Sequence, residues 1–116
     1  MRYTEGSNTG VLVAGGNGTG NNINQLNHPM GIYFESLSNS LIIANTYANN
    51  IVRWRIGDSN WTLFAGNLNA SSGNLPPSLS NPFAFTIDPI GNMYVADSSN
   101  HRIQFFSLGQ AEGRTI

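Results

Sequence analysis

Leu26-Asn27-His28-Pro29-Met30-Gly31-Ile32-Tyr33-Phe34-Glu35 returns 53 positions later as Leu79-Ser80-Asn81-Pro82-Phe83-Ala84-Phe85-Thr86-Ile87-Asp88. Leu and Pro match, and Glu35 answers Asp88. After a gain of one residue in the first copy, Leu41-Ile42-Ile43-Ala44-Asn45 falls on Met93-Tyr94-Val95-Ala96-Asp97 at an offset of 52, and Ile51 falls on Ile103. Leu12-Val13-Ala14-Gly15 precedes Leu63-Phe64-Ala65-Gly66 by 51 positions, and Arg2-Tyr3 precedes Arg53-Trp54 by the same step. A period of this length marks a repeat architecture, in which one supersecondary unit cannot bury its own face and must stack on a neighbour.

Within each period, short runs suited to strands alternate with turn residues, the spacing of an all-β sandwich, barrel or propeller. The first full repeat predicts strands at 31–35, 40–44, 51–56 and 61–65. The second predicts 84–88, 93–96 and 102–107, with a fourth strand beginning at Arg114-Thr115-Ile116. Ahead of both, 2–4 reads as the end of a third strand and 11–14 as a fourth strand of a preceding unit. The links 36–39, 89–92, 45–50 and 97–101 are of hairpin length, so consecutive strands should pair antiparallel. Four antiparallel strands in 50-odd residues describe one β-propeller blade. Residues 1–15 then end one blade, 16–66 form a full blade, and 67–116 form a second with its fourth strand cut short. Phe34, Ile42, Phe64, Phe85, Tyr94 and Phe105 are the candidates for packing blade on blade.

Composition agrees with many short strands. Asn, Gly, Ser and Pro make up 47 of the 116 residues, each favouring turns for its own steric or hydrogen-bonding reason. Only 9% of the chain is charged, against roughly 25% in ordinary domains. Leu, Ile, Val and Phe number 29 and the net charge is -1, which argues against disorder. The longest strongly apolar run, Leu41-Ile42-Ile43-Ala44, is far too short for a membrane helix, and the first six residues hold no apolar signal-peptide stretch. Absence of cysteine removes disulfides and thiolate metal sites, and leaves the compartment open.

The run from Asn81-Pro82 through Asp88-Pro89-Ile90-Gly91-Asn92-Met93-Tyr94-Val95-Ala96-Asp97-Ser98-Ser99-Asn100-His101-Arg102-Ile103 resembles an NHL repeat, including the Asn100-His101 and Leu79 of its name. The first repeat is similar but diverges, with Asn45 for Asp97, Ala48 for Asn100, Asn49 for His101 and Asn50 for Arg102. The resemblance implies an all-β fold, about two blades of the family's usual six-bladed propeller. It also implies that Asp97 and Arg102 pair as a structural brace across a tight link, a charge-assisted bond for which Asn45 and Asn50 are the neutral substitute.

Chemical motifs are sparse. Gly15-Gly16-Asn17-Gly18-Thr19-Gly20 lacks the Gly-Lys-Ser/Thr ending of a phosphate loop, and the chain contains no lysine. Single-stranded RNA binding, known for some NHL propellers, would draw on Arg53 and Arg55 flanking Trp54. Strand alternation, however, puts both arginines on one face and Trp54 on the other. Ser98, His101 and Asp97 lie too close in sequence for a catalytic triad, with no nucleophile elbow. Part of a lyase- or lactonase-like propeller enzyme is a further alternative, although no metal-ligand motif or cofactor signature is present. The three Asn-X-Ser/Thr sequons are no more than chance gives in so Asn-rich a chain.

The expected function is therefore a non-catalytic interaction scaffold that binds a protein or small ligand through loops at the blade ends. The contact residues expected there are Tyr47, Asn49, Asn50, Ser99, Asn100 and His101, with no metal, no cofactor and no membrane partner. Two blades do not close a ring, so the remaining partners are further blades of a longer chain or other copies, a trimer making six blades. The surplus strand at residues 2–4 favours the longer chain.

Overall fold

The computed structural model describes residues 2–3, 10–73, 78–107 and 114–116. Its strands are β1 (Arg2–Tyr3), β2 (Gly10–Val11), β3 (Pro29–Glu35), β4 (Ser40–Asn45), β5 (Asn50–Arg55), β6 (Thr62–Gly66), β7 (Pro82–Ile87), β8 (Met93–Asp97), β9 (Arg102–Phe106) and β10 (Arg114–Thr115). The protein is all-β. Strands β3 to β6 form one four-stranded antiparallel sheet in chain order, and β7 to β10 form a second; β1 pairs with β2. Among the described residues helix is limited to single 3-10 turns at Thr46–Ala48 and Ser98–Asn100.

Both sheets carry the same irregularity. Register shifts between Pro29 and Gly31 in the first sheet and between Pro82 and Ala84 in the second, where a proline lacking N–H opens the first strand. Arg2 opposes Val11 as Arg53 opposes Thr62, so the β1–β2 pair repeats the pairing of β5 with β6 one period earlier. The fourth strand expected at 11–14 is instead Gly10–Val11. Beyond it the chain leaves the strand path, and Val13 and Ala14 pack on a cluster formed by Leu41, Ile43, Val52, Trp54 and Trp61. Trp61, expected inside a strand, lies before β6: its Nε1 donates to Gln25 O at 2.8 Å and its main-chain N–H to Ile23 O at 2.8 Å.

Alternation sends opposite faces of each strand to different neighbours. From the first sheet Ile42, Ala44, Ile51 and Ala65 face the second, and Met93, Val95 and Phe106 of the second, with Leu79 from the segment leading into it, face back. Ile42, Ile51, Leu79 and Val95 are fully buried, each contributing about 1.5–3 kcal/mol of apolar burial. Phe64 and Phe85 pack at the margin of this core. Phe34, Tyr94 and Phe105 lie on the faces turned away from this contact, so of the six candidates for packing blade on blade it is Ile42, Phe64 and Phe85 that meet between the two sheets. Phe34 opposes Leu41 and so points to the other face, where it is 50% exposed. Tyr94 and Phe105 meet each other on the far side of the second sheet, ring centres 5.1 Å apart.

Glycine stands at two backbone contacts, with ordinary van der Waals room for a Cβ at Gly31 and none at Gly66. A Cβ on Gly31 would stand 3.4 Å from Phe83 O, where β3 runs against β7. Gly66 has φ +90° and a Cβ there would lie 2.6 Å from Asn49 O, so no side chain fits.

Candidate functional site

One end of the molecule gathers the turns that follow β4 and β8 with the segments leading into β3 and β7. Thr46 Oγ1 donates to Pro82 O at 2.8 Å and the Asn81 N–H to Asn49 Oδ1 at 2.9 Å, so the turn of the first sheet clasps the start of the second. Each 3-10 turn closes on a left-handed residue, Asn49 (φ 60°) or His101 (φ 53°), whose N–H returns to Thr46 O or Ser98 O. Asn and His are among the few side chains that adopt this backbone readily. His28 (φ 52°) and Asn81 (φ 48°) repeat the pattern before the two prolines. Both histidines of the chain thus occupy backbone positions whose repeat counterpart is asparagine.

The polar groups behind these turns hold main chain. Asp97, fully buried, accepts from the Ser80 N–H at 2.6 Å, Asn100 Nδ2 at 2.9 Å and Arg102 Nε at 2.7 Å. Arg102 Nη2 donates onward to Ser78 O at 3.1 Å, and Asn100 Nδ2 also reaches Gly73 O at 2.7 Å. In the first sheet Asn45 Oδ1 takes the Asn27 N–H at 2.7 Å, as Asp97 takes that of Ser80, and Asn50 Nδ2 donates to Asn67 O at 3.1 Å. Asn45 Nδ2 and Asn50 Oδ1 find no protein partner among the described residues, so the neutral pair is the poorer one.

The six expected contact residues divide accordingly. Asn50 is 1% exposed and cannot meet a partner, because its position at the β4–β5 turn faces inward. Asn49 and Asn100 use their amides on main chain, Asn49 Nδ2 on Ala70 O at 2.9 Å. Tyr47, Ser99 and His101 are exposed. Tyr47 is 54% exposed and its ring lies over His28, centres 4.2 Å apart at 34°. His28 Nδ1 is 2.9 Å from Asn27 Oδ1, and the Tyr47 N–H donates to Asn27 O at 3.1 Å. His28 was not among the expected contacts; its only sequence signal is its place beside Asn81 in the repeat, and that signal concerns backbone.

No protein-family model and no curated protein matches the chain. Its chemistry has to be read from its own side chains. Among the described residues no three of His, Asp and Glu converge as a metal site would require. Arg53 and Arg55 share a polar groove of about 460 Å³ with Asp58 and Asn60, but Arg53 is paired with Glu35 at 3.3 Å and lies over Phe64 at 5.2 Å. Trp54 is buried, with Nε1 donating to Asp58 O at 2.8 Å, and offers no surface on which a base could stack. The glycine-rich 15–20 connection folds onto itself, Asn17 Nδ2 reaching Asn24 O at 2.8 Å and Gln25 Nε2 reaching Asn17 O at 3.1 Å.

At the opposite end, Asp88 organises the β7–β8 turn. Its Oδ1 accepts the N–H groups of Ile90, Gly91 and Asn92 at 2.9–3.0 Å. Desolvation works to raise its carboxyl, but those N–H groups and the Asn92 amide outweigh it and hold the group below the usual carboxylate range.

Proposed function

We propose that the chain is two blades of an NHL-type β-propeller and acts as a non-catalytic scaffold, recognising a protein or small ligand at the end that carries Tyr47. Two like four-stranded meanders packed face to face support the blade reading. The observation that carries the functional reading is the Tyr47–His28 pair. It stands exposed on an end whose other polar side chains are largely engaged in fixing main chain. An aromatic held on a rigid frame offers contact area at low entropic cost.

The test is selection of a displayed random-peptide library and a small-molecule fragment set against the immobilised chain, with Tyr47→Ala as counter-screen. Ligands that bind the parent and lose at least about tenfold in affinity on Tyr47→Ala support the reading. No ligand, or ligands indifferent to Tyr47, overturns it. Salt-sensitive binding of single-stranded oligo(U) in a parallel titration would move the function to RNA.

A further inference from the structure

The face of the first sheet turned away from the second holds an apolar groove of about 650 Å³. Five of its lining residues are Leu26, Ile32, Phe34, Leu41 and Ile43. At the repeat offsets these correspond to Leu79, Phe85, Ile87, Met93 and Val95, the residues with which the second sheet and the segment leading into it meet the first. The same correspondence holds in reverse. Gly31, Ile42, Ala44 and Ile51, through which the first sheet meets the second, map to Ala84, Tyr94, Ala96 and Ile103. Cross-strand partners share a face. Since Phe85 opposes Val95 in the core, Ala84, Tyr94, Ala96 and Ile103 lie on the outer face of the second sheet.

The molecule therefore carries, on the two faces turned away from that contact, the two halves of the interface it already contains. We infer that the groove of one copy receives the outer face of the second sheet of another copy, head to tail, by the contact that joins the two sheets within the chain. Apolar surface stays open on both sides: Ile32 is 68% exposed in the groove and Ile103 46% exposed on the outer face. The internal contact also shows the close approach to be sterically feasible. Gly31 leaves 3.4 Å for a Cβ against Phe83 O, and its counterpart Ala84 carries such a Cβ on the outer face. Val13 and Ala14, which correspond to Phe64 and Ala65, already cover the outer part of the groove side. An incoming copy seats β7 and β8 in the open part and competes with Val13 and Ala14 for the rest. A contact between two different faces of the same chain is heterologous, so it closes into a ring or continues as a filament.

This inference does not involve the Tyr47 end, so the two readings stand or fall separately. The test is sedimentation velocity of the full chain over a wide concentration range, with Ile32→Arg and Ala84→Arg. Both positions are exposed, and circular dichroism checks that each variant keeps its fold. The parent should associate with concentration, and each variant alone should associate at least about tenfold more weakly, because a charge would be buried unpaired. An equimolar mixture of the two should form a species that stops at two chains, since one supplies an intact groove and the other an intact outer face. A parent that stays monomeric overturns the inference. So does either variant associating like the parent, or a mixture that does not pair.

Discussion

Arg102→Asn places at the second sheet the residue that the first sheet carries at Asn50, and its cost follows from the surroundings of Asp97. The carboxylate is fully buried and the Arg102 side chain is 14% exposed, so the substitution leaves a buried charge without its cation. Breaking such a pair costs about 3–5 kcal/mol. The Ser80 N–H and Asn100 Nδ2 still donate to Asp97, which favours the lower end, about 3 kcal/mol. For a chain of this size that lowers the melting midpoint by about 12 °C. Replacing both partners, Asp97→Asn with Arg102→Asn, removes the charge together with its partner. The pair then inherits the two unpartnered amide atoms seen at Asn45 and Asn50, a loss of about 1 kcal/mol for each and about 2 kcal/mol together. The double variant should thus melt above the single one, and urea unfolding monitored by circular dichroism should give the same order. An Arg102→Asn variant within about 1 kcal/mol of the parent, or a double variant no more stable than it, would refute the view that the buried pair sets the stability of this turn.

Gly66→Ala should lower stability by about 2 kcal/mol in the same unfolding assay, because the new Cβ meets Asn49 O and the backbone sits in the left-handed region. Asp88 has its pKa lowered by folding, so its contribution is complete above the unfolded value of about 3.9 and fades as pH falls through the lower folded value. The melting difference between the parent and Asp88→Ala should therefore be constant near neutrality and shrink in acid; a difference that grows in acid would contradict the hydrogen bonds assigned to that turn.

The central strands were legible because two signals coincide there. In Ser40–Asn45 and Met93–Asp97, β-branched and aromatic residues are bounded by turn residues at both ends, and the repeat states the pattern twice. At Val11-Leu12-Val13-Ala14 the apolar run is continuous and has no period of its own. It reads as strand by analogy with Leu63–Gly66, yet the chain departs after Val11 because Trp61 and Leu41 offer Val13 and Ala14 a place to pack. Of the six residues expected to pack blade on blade, Ile42, Phe64 and Phe85 meet at the contact between the two sheets, while alternation puts Phe34, Tyr94 and Phe105 on the outward faces. At the candidate site, Tyr47 was legible as a large side chain in a short turn. Its contact with His28 was not, because it depends on the main-chain bond from Tyr47 to Asn27, a tertiary fact. The inward position of Asn50 was legible only in part: the repeat matches it to Arg102 of the brace, a reading its buried bond to Asn67 O follows, whereas its place beside a loop suggested a contact residue.

The unlike pairs at the two turns, Asn45 with Asn50 and Asp97 with Arg102, bear on how the chain avoids misfolding. A polypeptide holding two copies of one meander can pair β8 with β5 or β4 with β9, a folding error typical of repeat proteins. Matching hairpin lengths do nothing to prevent it. In the crossed arrangement Asp97 would stand opposite Asn50, or Arg102 opposite Asn45, leaving a buried charge unmatched at a cost of several kcal/mol. Divergence between the repeats at these four positions thus discriminates between strands that would otherwise be interchangeable. Making the two turns identical, in either direction, would erase that distinction.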